Sequence, residues 1–122
     1  MKTLDFGKIT NKYLFAFIIA LAPMVAHSGS GTGQLGEIGY HWPMPNAVFI
    51  ILSGTVTRTG QPACATNGGR LTLDLTTQVG KAAYSRLLAM KMSNSTKIIS
   101  LGGDGTCSNW GDSENINSIG FP

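Results

Sequence analysis

Two cysteines bracket the part of the chain with the clearest periodicity. Between Cys64 and Cys107 lie an alternating run, Arg70-Leu-Thr-Leu-Asp-Leu75, a segment with helical spacing, an apolar run, Lys97-Ile-Ile-Ser-Leu101, and a glycine-rich turn. The simplest arrangement is a strand–helix–strand unit tied end to end by one disulfide. Two cysteines allow a single intramolecular pairing, and closing a loop of this length stabilises by about 4 kcal/mol in the chain-entropy picture. The rivals are a bond between chains and a metal site. Two cysteines and two distant histidines, His27 and His41, lack any zinc spacing, so neither metal nor other cofactor is expected.

The compartment is set by the first residues. Lys2, Lys8 and Lys12 form a basic start, and Tyr13 to Ala26 is an apolar run without a charge. That run is shorter than the about 20 residues a bilayer span requires. It ends in small residues suited to a signal peptidase, after Ala26 or, with Ala26-His27-Ser28 as small-x-small, after Ser28. Residues 1–28 are therefore expected to be a signal peptide, and the protein to be secreted or periplasmic, with no membrane segment once the leader is removed. Export also makes a disulfide chemically accessible.

Removing the leader changes the charge. The remainder sets Arg58, Arg70, Lys81, Arg86, Lys91 and Lys97 against Glu37, Asp74, Asp104, Asp112 and Glu114, which is close to neutral. No basic face is left for nucleic acid. Roughly 95 residues make one domain, small enough to benefit from a cross-link.

Gly29 to Gly39 is rich in glycine and poor in large side chains, and Tyr40-His-Trp-Pro-Met-Pro45 follows. Residues 29–46 are expected to be a flexible, then irregular, N-terminal segment, with Tyr40 and Trp42 covering the open edge of a small core, the less favoured alternative being an exposed aromatic binding platform. Residues 47–122 hold the domain. Ala47 to Arg58 is a strand, apolar on both faces in its first half, with a bulge or bend at Gly54. Asn67-Gly-Gly69 is a hairpin-type turn. Arg70 to Thr76 alternates, with Leu71, Leu73 and Leu75 on the buried face and Thr72, Asp74 and Thr76 on the other. Thr77 is a suitable N-cap for a helix over Gln78 to Met92, whose buried face is Val79, Ala83, Leu87 and Met90. Gly80 costs its first turn about 1 kcal/mol relative to alanine. Lys97 to Leu101 and Asn115 to Phe121 complete the strands. The expected fold class is β-rich α+β: a small OB-like barrel with one helix packed on it and the Cys64–Cys107 bond.

Motifs for chemistry are sparse. Gly102-Gly-Asp-Gly-Thr106 matches the GGDGT string of lipid and NAD kinases, where backbone N–H groups cradle a phosphate. Here no helix follows and the large α/β domain is missing, so the string is a turn. Asp104, Asp112 and Glu114 lack the spacing of a calcium loop. Asn94-Ser-Thr96 fits a glycosylation sequon, but the short leader has a bacterial character. No nucleophile elbow or paired-carboxylate signal is present, which argues against an enzyme. Trp110, Asp112 and Glu114, next to Cys107, are the candidate binding residues: an indole to stack on a sugar or dock a partner, with acids beside it. The competing role for Trp110 is to pack against the disulfide as a lid.

The order of strand, strand, helix near Gly80-Lys-Ala-Ala-Tyr84, strand Lys97-Ile-Ile-Ser-Leu101 and then Cys107-Ser-Asn-Trp-Gly-Asp112 resembles small exported bacterial proteins similar to the B subunits of subtilase-type AB5 cytotoxins. The resemblance covers about Val48 to Phe121 and departs from the toxin subunits in its cysteine arrangement. It implies an OB-like fold and binding of a glycan or another protein; the toxin subunits proper bind sialylated glycans as pentamers, so a homo-oligomer is the assembly that goes with this reading. No sugar-contacting residue is carried over. The function expected is that of a non-enzymatic secreted binding protein. The alternatives are a structural or surface-associated periplasmic protein with no small ligand and, less favoured, a small hydrolase using His41.

Overall fold

A computed structural model of the chain describes residues 27–40 and 46–122. Residues 1–26, most of the expected signal peptide of residues 1–28, and residues 41–45, with His41 and Trp42, lie outside the described residues. Five strands and one helix follow in the order β1 (Ser30–Gly39), β2 (Ala47–Thr59), β3 (Arg70–Asp74), α1 (Gln78–Met92), β4 (Ile98–Gly103) and β5 (Glu114–Gly120). The sheet closes on itself as β1-β2-β3-β5-β4 and back to β1. All neighbours are antiparallel except β3 and β5, which meet in parallel over Leu71↔Glu114 and Thr72↔Asn115.

The glycine-rich segment is not a flexible arm. Ser30 to Gly39 is strand β1, paired with β2 on one side and β4 on the other, so it joins the ring. The folded unit therefore reaches back to Gly29 rather than starting at 47. The glycines are there because neighbouring side chains occupy the space a Cβ would take. A Cβ on Gly31 would stand 2.6 Å from Arg58 Cδ, and one on Gly36 would stand 2.9 Å from both the Ile51 carbonyl oxygen and Ser53 Cβ.

Strand β2 carries both faces, as its apolar first half implies. Val48, Ile50 and Leu52 point into the core with Leu35, Leu71, Leu73, Leu87, Ile99 and Leu101, while Ala47 and Phe49 form a second, smaller cluster against Trp110. The bend expected at Gly54 is present: its φ is 71°, and the β1–β2 register shifts between Thr32 and Gln34. In β3 the alternation holds for Leu71 and Leu73, but Thr72 is also fully buried, its hydroxyl donating to Asn115 Oδ1 on the neighbouring β5 at 3.1 Å. Asn67 to Gly69 does turn, with the Arg70 N–H on the Asn67 carbonyl at 3.4 Å, but it is not a tight hairpin loop. The β2–β3 ladder ends at Ile51↔Arg70, and beyond it β2 pairs with β1, so a longer connection is needed. Cys64 and Cys107 are bonded, with Cα atoms 6.1 Å apart, and link this connection to the one between β4 and β5. The Asn67 N–H donates to the Asp112 carbonyl at 2.9 Å in support.

Thr77 caps α1 as expected, its hydroxyl accepting from the Gly80 N–H at 3.0 Å. Leu87 is fully buried, and Ala83, Tyr84 and Met90 pack on the core. Val79 does not: it is 81% exposed, along with Met92 at 84%. Gly80 is also more than a propensity penalty. A Cβ there would sit 1.9 Å from the Asp74 carbonyl oxygen, so only glycine lets the helix start against the end of β3. The other end closes with Asn94 at φ 50°, Ser95 N–H on the Met90 carbonyl and Asn94 N–H on that of Lys91, the double bond of a Schellman cap.

Candidate functional site

The sequence-predicted residues Trp110, Asp112 and Glu114 do not form one site. They divide between an outer cluster, with Trp110 and Asp112, and an interior one, with Glu114.

The outer cluster sits on β2 and β3. The Trp110 and Phe49 rings meet edge to face, centroids 5.8 Å apart and planes at 89°, an arrangement worth about 0.5–1.5 kcal/mol beyond area burial. The Arg70 guanidinium lies 4.3 Å from the centroid of the same Phe49 ring. Its Nη2 donates to both Asp112 carboxylate oxygens, at 2.7 and 2.8 Å, and its Nε to Ser113 Oγ at 2.8 Å. Those hydrogen bonds, from Arg70 first and Ser113 second, hold the Asp112 carboxyl below the usual carboxylate range. The Ser113 N–H donates to the Trp110 carbonyl at 3.1 Å, which fixes the turn carrying the indole. Trp110 is half-buried on Phe49 in the second cluster, and Tyr40, 59% exposed, follows the end of β1.

Glu114 belongs to the interior. It is fully buried and so is not a surface contact for any partner. Its Oε1 accepts from the Gly29 N–H at 2.7 Å and the Gly105 N–H at 3.1 Å. Its Oε2 faces Arg58 Nη2 at 3.6 Å, and Arg58 Nη1 donates to the Gly68 carbonyl at 3.1 Å. Arg58 Nε and Nη2 and Glu114 Oε2 make no hydrogen bond among the described residues. Burial pushes the Arg58 guanidinium down, opposed by the Glu114 charge. Glycines again make the space: a Cβ on Gly103 would fall 2.0 Å from Glu114 Oε1, and one on Gly29 would fall 2.4 Å from Oε2.

The phosphate-loop string is thus occupied by the protein itself. The Gly105 N–H serves Glu114, the Gly103 N–H donates to the Gly29 carbonyl at 2.7 Å, and the Thr106 N–H goes to Asp104 Oδ1 at 2.8 Å. Asn115 organises the rest of the connection. Its Oδ1 accepts from Thr72 Oγ1 and the Asn109 N–H, and its Nδ2 donates to Thr106 Oγ1, Ser108 Oγ and Asp104 Oδ2. Asp104, Asp112 and Glu114 therefore face different partners. Among the described residues no group of three or more His, Cys, Asp or Glu side chains is placed to hold a metal ion.

A groove of ≈470 Å³ runs between the start of α1 and β5, lined by Leu73, Val79, Ala83, Arg86, Ile119 and Phe121 among others. The Arg86 guanidinium lies 4.1 Å from the Phe121 ring centroid there. Among the described residues no helix is long and apolar enough to cross a membrane, and the disulfide is a bond of oxidising compartments. Sequence reasoning missed Phe49, Arg58 and Arg70. The signal that could have found Arg58 is the alternation of Gly29, Gly31 and Gly33 with Ser30, Thr32 and Gln34, a strand pattern with every inward side chain deleted. Compared with models of known families, with curated proteins and with solved structures, the chain finds no match in any of the three.

Proposed function

We propose that this is a non-enzymatic, exported binding module built on an OB-like barrel, with a ligand face at Arg70, Trp110 and Asp112 backed by the buried Phe49. The observation that carries the proposal is the place of that cluster: outer side of β2 and β3, beside the β4–β5 connection. The strand order β1-β2-β3-β5-β4, with the helix between β3 and β4, supports the OB-like assignment. OB-like barrels engage oligosaccharides and oligonucleotides on the strand 2–3 face and its flanking loops. The near-neutral charge after the leader disfavours a polyanion. A glycan, which stacks on aromatic rings and hydrogen-bonds to a carboxylate–guanidinium pair, is the ligand class favoured. This agrees with the resemblance to toxin B subunits. The disulfide and the leader support secretion or a periplasmic location.

A glycan array with the exported protein tests this, read beside its mass in solution. Binding that falls at least tenfold in both Trp110→Ala and Arg70→Ala supports the proposal; an array with no hits overturns it. The alternative is a structural protein without a small ligand. It is favoured by the internal use of Arg70, whose donors already serve Asp112 and Ser113. The same array separates the two.

A further inference from the structure

We infer that leader removal occurs between Ser28 and Gly29, and that the new α-ammonium of Gly29 is a structural ion seated on the buried Glu114 carboxylate. The inference rests on the export reading above. The sequence places small residues, Ala26 and Ser28, at the two positions a signal peptidase selects for a cut after Ser28. A cut after Ala26 would have Met24 at the first of those positions instead.

The structure supplies the second, independent observation. His27 and Ser28 are exposed while Gly29 is buried, so burial begins at the bond in question. The Gly29 nitrogen lies 2.7 Å from Glu114 Oε1. Glu114 Oε2 is close as well, since a Cβ on Gly29 would stand 2.4 Å from it, and no donor among the described residues hydrogen-bonds to that oxygen. In the uncut chain the Gly29 nitrogen is an amide with one N–H. Hydrolysis by a leader-cleaving endopeptidase consumes one water: the Ser28–Gly29 C–N bond breaks, the Ser28 carbonyl becomes a carboxylate, and the Gly29 nitrogen becomes an ammonium with three N–H donors. Oε1 keeps its hydrogen bond and Oε2 gains a charged donor. The Gly103 N–H on the Gly29 carbonyl, at 2.7 Å, holds the residue in place. A side chain at position 29 would collide with the carboxylate, so the residue the cut exposes is one the site can accept.

The charged groups facing this amine are Glu114 on β5 and Arg58 on β2. Asp104, in the connection after β4, is turned to Thr106 and Asn115, and His27 leaves with the leader. Direct contact with the carboxylate outweighs the more distant Arg58, and raises the amine pKa above its ordinary value of about 8. Because the folded-state value is raised, the added stability is complete below pH about 8 and is lost as pH rises through the folded-state pKa. The uncut chain has no such ion, so full stability is reached only after processing.

The test is to express the full chain in a bacterial host, purify the exported form, and determine its intact mass and N-terminal residue. The pH dependence of acylation of its α-amine is then followed. Expected are a chain beginning at Gly29 and an amine whose pKa is raised by about one unit or more. The shift should vanish in Glu114→Gln. Should that variant fail to fold, a chain with one alanine inserted after Ser28 should fold, and its displaced amine should titrate normally. An exported chain beginning at His27, or one beginning at Gly29 with an ordinary amine pKa, overturns the inference alone. A chain that keeps its leader overturns the export reading with it.

Discussion

Gly103→Ala should destabilise the domain by about 4 kcal/mol, although it adds one methyl group to a strand. Gly103 has no positive φ, so the backbone accepts alanine, and the cost is steric. The new Cβ would stand 2.0 Å from Glu114 Oε1, 2.1 Å from Cδ and 2.6 Å from Oε2. All three are too close, so the carboxylate must leave. Its departure strips the Gly29 and Gly105 N–H groups of their acceptor and leaves Arg58 facing no counter-charge. Breaking a buried pair from one side costs about 3–5 kcal/mol, which includes the unpaired charge, and each orphaned buried N–H adds up to about 1–3 kcal/mol. A domain of roughly 95 residues has about 5–14 kcal/mol in total, so this one methyl consumes a large fraction. Urea unfolding of wild type, Gly103→Ala and Gly111→Ala measures it. Gly111 has nothing within 4 Å of its Cβ position and should change stability by less than about 0.5 kcal/mol. In a Glu114→Ala background the collision is gone, so adding Gly103→Ala should cost little, giving a coupling of at least about 2 kcal/mol. A Gly103→Ala protein within about 1 kcal/mol of wild type would refute the account of the buried carboxylate.

Removing the Cys64–Cys107 bond by a double alanine substitution should cost about 4 kcal/mol for a closed loop spanning 43 positions, read as a lower urea midpoint. Asn94→Gly, at φ 50°, should stabilise by about 0.5 kcal/mol and raise Tm by about 3 °C, measured by thermal unfolding. Asp112→Asn should lose stability at neutral pH. Its pKa is held down by Arg70 and Ser113, so the contribution is present above pH about 4 and lost as pH falls through the folded-state value. The Tm gap between this variant and wild type should therefore close in acid.

Local patterns carried β2, β3, α1, β4 and β5, because each has an apolar periodicity that its own neighbours create. The Thr77 cap and the Gly54 bend were legible for the same reason. Strand β1 was not. Its first inward positions, Gly31 and Gly33, are glycines because Arg58, Leu52, Ser53 and Val56, far along the chain, occupy the space, and Gly29 just before it leaves room for Glu114. Glycine counted as an entropic liability from sequence, whereas here it makes room for a buried ion pair. Glu114 read as a surface acid because two acids and a tryptophan near a cysteine look like an exposed loop. Only the β3–β5 pairing, which begins at Leu71↔Glu114, turns that side chain inward. Val79 failed in the opposite sense: it has the right helical phase, but in the first turn of α1 it stands on the rim of the groove beside β5 and stays exposed.

The closure of the ring also governs when this chain can fold. β1 finds its second neighbour only in residues 98–102, and the Gly29–Glu114 contact spans 85 positions. β5, the last strand made, joins β3 to β4. A nascent chain lacking it leaves β3 and β4 unjoined and Arg58 without its partner. Such non-local closure belongs to folding times of milliseconds to seconds rather than microseconds. The ring therefore cannot close until β5 has been made.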